Sequence, residues 1–240
     1  MEMARRRIHP IHTSIQTDTD ITLYIPLDRE RIVCKALGML NEVGLKDLSM
    51  RKIADSLGVK AASLYYHVKD KEELLQLLAD QISNRVEWPQ ETLAWDQQII
   101  YWAQSFRKAL HAFQDAVDVF HSSTARGYDR LRQIEALYNV FVQAGFDDVH
   151  IPWMSGMVKN YILSFVAEEV QLSSLAKRSG IPFEELCEQF TQTFKRLPQD
   201  QFPHLIRMAS STTTGDWETE FMFGLQVLLD GFKAKLVNPY

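Results

Sequence analysis

Residues 27–83 carry apolar side chains at helical spacing in short, separately capped runs, with small residues and one glycine at the centre. Ile32, Val33, Ala36, Leu37 and Leu40 fall at i, i+1, i+4, i+5 and i+8. They form one face of a helix starting near Asp28, and Gly44 offers it a left-handed cap. Ser49 is placed as the N-cap of a second helix whose inner face is Ile53, Ala54 and Leu57. Gly58 then permits a tight turn, and a third short helix turns Leu64 and Val68 inward. Asp70 and Glu73 make a capping box for a fourth helix bearing Leu74, Leu75, Leu77, Leu78 and Ile82, which ends at Trp88-Pro89. A short helix, a glycine turn and a second helix with small residues at its start and aromatics behind them form a helix-turn-helix of the kind that reads double-stranded DNA.

Further along, helical periods cover 93–113, 114–122, 128–144, a long run from 147 or 151 to 175, then 182–197 and 216–236. Pro152 and Pro182 fall in first turns, where a missing N–H costs nothing. The stretch 198–215 is weaker, and its Ser/Thr-rich end reads as loop. No strand-like alternation competes, so the fold is expected to be all-α, with a head over 27–74 and a larger helical domain over 75–240. Residues 1–26 show no sustained period. With Arg5-Arg6-Arg7 and a Thr/Asp-rich run over 13–22, they read as a disordered extension or as a basic arm that reaches into a minor groove.

Composition narrows the function classes. No run of eighteen apolar residues exists, which argues against a membrane span, and the first 26 residues lack the apolar core of a signal peptide, which points to the cytoplasm. Cys34 and Cys187 stand far apart in helical patterns, as buried core cysteines rather than a disulfide or zinc framework. A net charge of −5 argues against a chain that coats nucleic acid non-specifically. Over 49–71, however, basic residues outnumber acidic ones five to two, and a sequence reader needs positive charge only on the face it turns to DNA. There is no Gly-rich phosphate loop, metal-ligand spacing or nucleophile elbow. An enzyme is therefore not expected, nor is a cofactor or a resident metal.

In the helix-turn-helix, Arg51 and Lys52 stand at the start of the first helix, beside Ser49, and can meet phosphate. Lys60 precedes the second helix. Ala61, Ala62 and Ser63 at its start are small enough for close approach to base edges, and Tyr65, Tyr66 and His67 lie on its outer portion. Lys71 begins the next helix, where a cation and a helix N-terminus together favour phosphate. Any three-helix cluster with a charged surface shares some of these features.

Three segments carry a resemblance: Asn41-Glu42-Val43-Gly44; Arg51-Lys52-Ile53-Ala54 with Leu57-Gly58-Val59; and Leu64-Tyr65-Tyr66-His67-Val68-Lys69-Asp70-Lys71. The chain resembles the tetracycline repressor (TetR) family, most closely the branch of the tetracycline repressors themselves. The similarity is strong over 28–84. It is weaker over 103–110 and over 221–236, where Phe223-Gly224-Leu225 and Gly231 match the family's final helix. The resemblance implies a homodimer that binds an operator in double-stranded DNA through the head and holds a small-molecule inducer in the helical domain. By it, Arg51, Ser63, Tyr65 and Lys71 match DNA-contacting positions, while Ala61 and Ala62 replace larger or different base-facing residues.

The drug and metal positions of that branch are changed. Glu87 and Trp102 stand where the tetracycline repressors have a histidine and an asparagine, Phe106 at a phenylalanine, and Phe120 at the metal-binding histidine. Ser123 matches a threonine and Glu168 an acidic residue; His121 would regain a ligand only if the alignment slipped by one. Trp102, Phe106, Phe120, Tyr138, Trp153, Met157 and Tyr161 either line an aromatic cavity or simply fill the core. Asn160 and Glu168, eight residues apart on one helix face, are the expected orienting polar groups. Such a site suits a flat or lipophilic inducer, including a cationic one drawn to Glu168, and excludes tetracycline with magnesium. The helices over 151–175 and 216–236 are expected to dimerise. Phe221, Leu225, Leu228 and Leu229 form one stripe of the latter, and Met222, Phe223, Val227 and Phe232 widen it. The expected function is a ligand-responsive repressor released from a palindromic operator by an apolar or aromatic inducer. The alternatives are an activator of the same fold and a regulator that answers to a protein partner.

Overall fold

The computed structural model describes residues 26–213 and 215–237, and the N-terminal 25 residues with their arginine run lie outside the described part. Eleven α-helices and no strand occur among the described residues. The head is α1 (Arg29–Asp47), α2 (Met50–Ser56) and α3 (Ala61–His67). Side-chain oxygens start its helices: Asp28 accepts from the Arg31 N–H at 2.7 Å and Ser49 from Lys52 N–H at 3.3 Å. Such caps satisfy donors that a helix end leaves without partners. Gly44 sits at φ +74 inside the last stretch of α1 and bends the chain there, and Gly58 at φ +68 makes the turn between α2 and α3. Ile32, Ala36, Leu40, Ile53, Ala54, Leu64 and Val68 are fully buried between the three helices, the stripes the sequence predicts.

Helix α4 (Lys71–Ser83) is shared between the head and the body. It packs on α1 at one end and on α5 (Trp95–His111), α6 (Ala116–His121) and α7 (Tyr128–Gln143) beyond. Asp70 accepts from Glu73 N–H at 2.8 Å, and the Glu73 carboxylate reaches back to Lys69 N–H at 2.7 Å, one residue before the cap itself. The body continues with α8 (Ile151–Ser179), a 29-residue helix, and closes with α11 (Trp217–Val237) packed on it. One apolar core runs from Ile32 in α1 to Phe232 in α11.

Between α8 and α11, α9 (Phe183–Lys195) and α10 (Pro203–Thr212) pair with each other outside that core. Helix α10 lies in the weak stretch 198–215 and runs into the Ser/Thr-rich end expected to be loop. Pro203 opens it in a first turn and Ala209 is fully buried, so packing overrides the weak local propensity of its Ser/Thr end. The cysteines also differ from expectation: Cys34 is exposed and Cys187 half-buried. On α11, Phe221, Leu225, Leu229 and Phe232 face inward, so Phe232 belongs to the core stripe rather than to a widened outer surface. Phe223 and Val227 do face outward, 71% and 55% exposed. Among the described residues no helix is long and apolar enough to cross a membrane.

Candidate functional site

The first candidate surface is the outer side of α3. Only Leu64 of this seven-residue helix is buried, so the others are presented outward. Ala62, Ser63, Tyr65 and Tyr66 are exposed, Tyr66 to 88%, while Ala61 and His67 are half-buried. Arg51 and Lys52 are exposed on α2, Lys52 lying 3.6 Å from Asp47. Lys60 sits exposed at the N-cap of α3, and Ser49 is committed to capping α2. Lys71 at the head of α4 reaches back to the Leu45 carbonyl at 3.3 Å. The end of α3 is pinned by Arg29, which donates to the His67 carbonyl at 3.2 and 3.0 Å and pairs with Glu73 at 2.7 Å. A large exposed aromatic on a short, clamped helix among cations is suited to groove contact rather than to packing.

The second is a cavity of about 210 Å³ bordered by the end of α4 with α5, α6, α7 and α8. Trp102, Phe106, Phe120 and Tyr138 line it as a group. Trp102, Phe106 and Phe120 form a continuous wall, with ring centres 5.2 Å apart at each step. Ser123 lies behind this wall, donating to the Val119 carbonyl at 2.7 Å and accepting from the Arg130 guanidinium at 2.9 Å.

The other predicted ligand residues are elsewhere. Trp153 (62% exposed) and Met157 lie on the outer face of α8, along a separate groove shared with Val227, Leu228 and Gly231 of α11. Asn160 is exposed. Tyr161 stacks on Phe221, and burial pushes its hydroxyl up to about 12 as it donates to the Phe221 carbonyl at 2.7 Å. Glu168 is exposed near Phe183 and Trp217. Cavity and outer groove use adjacent stripes of α8: Pro152, Ser155, Gly156 and Lys159 face the cavity, and their neighbours turn away. Glu87 and His121 are exposed and outside the cavity lining as well.

Sequence reasoning missed the polar lining: Arg130, Gln133, Ser155 and Lys159. The spacing of Arg130 and Gln133 with Leu137 at i, i+3 and i+7, and that of Ser155 with Lys159 at i and i+4, was the available signal. Gln133 is buried and fully engaged. Its carbonyl accepts from Trp88 Nε1 at 2.6 Å and Trp102 Nε1 at 2.9 Å, and its amide donates to the Ser83 and Val86 carbonyls at 3.1 and 3.0 Å. The guanidinium of Arg130 lies 4.7 Å over the Phe120 ring. Burial pulls the Arg130 pKa below its ordinary value; burial together with the Arg130 charge does the same to Lys159. Among the described residues no carboxylate or imidazole lines the cavity, so a hard divalent cation finds no charged ligand there.

Two family descriptions match the chain: "Bacterial regulatory proteins, tetR family" over residues 32–78 and "Tetracyclin repressor-like, C-terminal domain" over residues 88–236. The sequence is 30% identical over 215 residues to the class D tetracycline repressor protein of Escherichia coli, covering 88% of this chain and 91% of that one. The crystal structure of ActR of Streptomyces coelicolor in complex with actinorhodin superposes with a TM-score of 0.79 at 28% identity, covering 87% of this chain and 96% of that one. BioQ with its natural double-stranded DNA operator superposes with a TM-score of 0.61 at 25% identity, covering 86% and 98%. With both the head and the helical body matched, this chain belongs to the TetR family of bacterial regulatory proteins.

Proposed function

We propose that the chain is a cytoplasmic, ligand-responsive transcriptional repressor rather than an enzyme. It binds a palindromic operator as a homodimer through the head at 27–74, and a small aromatic inducer held in the body at 75–240 releases it. The observation that carries this reading is the placement of α4 and α6. Ser83 at the end of α4 and Phe120 on α6 both line the cavity, α4 and α6 pack together, and α4 begins at Lys71 beside the exposed face of α3. A ligand that prefers one arrangement of α6 thereby biases the position of the head. The ligand-bound and operator-bound relatives described above support the two halves of the reading.

The dimer rests on the apolar outer faces of α8 and α11. Trp153, Met157, Phe223 and Val227 are all exposed, more large apolar surface than a lone domain leaves uncovered on adjacent helices. A dimer formed by covering them reads one operator when its two α3 helices stand about 34–36 Å apart, one turn of DNA. Tetracycline with magnesium is not the inducer, because among the described residues no carboxylate or imidazole lines the cavity and Phe120 stands where the relatives' metal-binding histidine aligns.

Selection from a random double-stranded pool tests the reading. The enriched sites should be inverted repeats with half-sites about 10 base pairs apart, centre to centre. A single non-symmetric site, or no enrichment, would contradict it.

A further inference from the structure

We propose that the inducer is an aromatic acid of one or two rings, its carboxylate received by Lys159, Ser155 and Arg130 while its rings lie against the Trp102–Phe106 wall. This rests on the reading of the cavity as an inducer site and names the chemistry that site selects. It replaces the cationic ligand that the sequence suggests, because Glu168 does not line the cavity.

The cavity's polar groups divide into those already used and those left over. Gln133 makes four hydrogen bonds within the protein, and the Ser83 hydroxyl donates to the Ala79 carbonyl at 2.8 Å. Neither has a donor to spare. Ser155 is different: it is 6% exposed, and its hydroxyl is buried without a hydrogen-bond partner. Such a group is unfavourable unless something accepts its proton. One turn along the same face, Lys159 lines the cavity and makes neither a hydrogen bond nor a salt bridge among the described residues. Arg130 spends one nitrogen on Ser123, at 3.3 Å to its carbonyl and 2.9 Å to its hydroxyl, and it too has no salt bridge among the described residues.

Two cations and a spare hydroxyl therefore line the same space, and among the described residues no carboxylate lines it with them. Asp80, on α4, accepts the Arg130 backbone N–H at 2.8 Å and its charge favours the Arg130 cation, but it does not line the cavity. Among the described residues Lys159 has no anion near it and Arg130 has only Asp80 outside the cavity, so an anion that brings its own hydrogen-bond acceptors favours both cations and the hydroxyl at once. A cation would meet repulsion, and a neutral molecule would leave both charges unpaired. The volume of about 210 Å³ is below the roughly 300–1,000 Å³ of drug-sized sites, which suits an occupant of one or two rings.

The test is calorimetric titration of the full chain with three probes of one shape: 2-naphthoate, 2-naphthamide and 2-naphthylmethylammonium. The acid should bind about tenfold or more tighter than the amide, the gain expected of a hydrogen-bonded charge, and the ammonium should bind weakest. Lys159→Met should weaken the acid far more than the amide and bring the acid-to-amide ratio close to one. Ser155→Ala, a smaller change that serves if the first variant does not fold, should lower acid affinity severalfold. Amide or ammonium binding as tight as acid, or no binding of any probe, overturns the proposal. With operator selection still yielding inverted repeats, such a result leaves the regulator reading intact, whereas failure of selection itself strikes at that reading.

Discussion

The backbone N–H of Leu45 donates to Asp115 Oδ2 at 2.7 Å, joining the bend after Gly44 in the head to the loop between α5 and α6. Asp115 adopts φ +55, the one left-handed non-glycine among the described residues. Asn41 reinforces the joint, donating to the Ala112 carbonyl at 3.4 Å and accepting from Gln114 N–H at 2.8 Å. Because α6 begins at the next residue and carries Phe120 into the cavity, this joint ties the ligand site to the head. Asp115→Ala should leave naphthoate and operator affinities each nearly unchanged. It should nonetheless shrink, by roughly fivefold, the factor by which the acid weakens operator binding. Titrations of DNA with and without acid measure that factor, and an unchanged factor counts against the joint.

Gly44 is required at the same place. A Cβ there would lie 2.8 Å from Gln114 Nε2 and 2.9 Å from Asp115 Oδ2, and φ +74 disfavours any L side chain. Gly44→Ala should destabilise the protein by about 1–3 kcal/mol, read as a lower midpoint in thermal unfolding.

On the DNA face, Lys71→Ala should weaken binding on every sequence and reduce the salt slope by about 1, since a phosphate contact carries no base information. Ser63→Ala should instead change which bases are preferred. Tyr66→Ala should weaken binding without lowering stability, because a side chain exposed to 88% contributes little packing. Mobility shifts across a salt series separate these effects; full operator affinity after Lys71→Ala would remove its assigned role.

The head was legible because each of its helices announces itself locally: Ser49 and Asp70 cap where the sequence places them, the first helix starts beside Asp28 as expected, and the buried stripes follow the 3.6-residue period. Half of the cavity was legible for the same reason. Trp102, Phe106 and Phe120 recur on faces that must point inward. The rest failed on α8, which carries apolar residues on two faces. Composition alone does not say whether Trp153 and Met157 face the cavity or a second copy, and only the packing of α7 and α11 decides it. Ser155 and Lys159 went unread because a serine and a lysine on a long helix normally signal solvent.

Gln133 is the brace of the cavity. Gln133→Leu leaves two indole N–H groups and two carbonyls without their partner and should cost about 2–4 kcal/mol in denaturant unfolding. A change below about 0.5 kcal/mol, the level of an ordinary surface substitution, would show that water replaces the amide.

Glu169, 7% exposed, accepts from Arg107 at 2.6 and 3.1 Å and lies 2.8 Å from His111 Nε2; Arg107 also pairs with Glu218 at 2.7 Å. Burial pushes the Glu169 carboxyl up, but the hydrogen bonds from His111 and Arg107 and the Arg107 charge outweigh it and hold the pKa below its ordinary value near 4.5. The folded group is the stronger acid, so its contribution is complete above about pH 4.5 and is lost as the pH falls through the lowered folded value. Glu169→Gln should cost about 3 kcal/mol at neutral pH, with the gap from wild type narrowing on acidification. Asp80, whose carboxyl burial raises, works in the opposite sense. Unfolding curves of the two proteins from pH 7 to 3 test this, and a constant gap would contradict it.

The mass of the protein–operator complex by multi-angle light scattering, at micromolar protein with a selected duplex, bears most directly on the central claim that two copies joined through α8 and α11 read one site. Two chains per duplex are expected for the wild type, and Phe223→Asp should yield free monomers that no longer hold the DNA. A single wild-type chain bound tightly to the duplex, or a Phe223→Asp protein still bound as a pair, would contradict it.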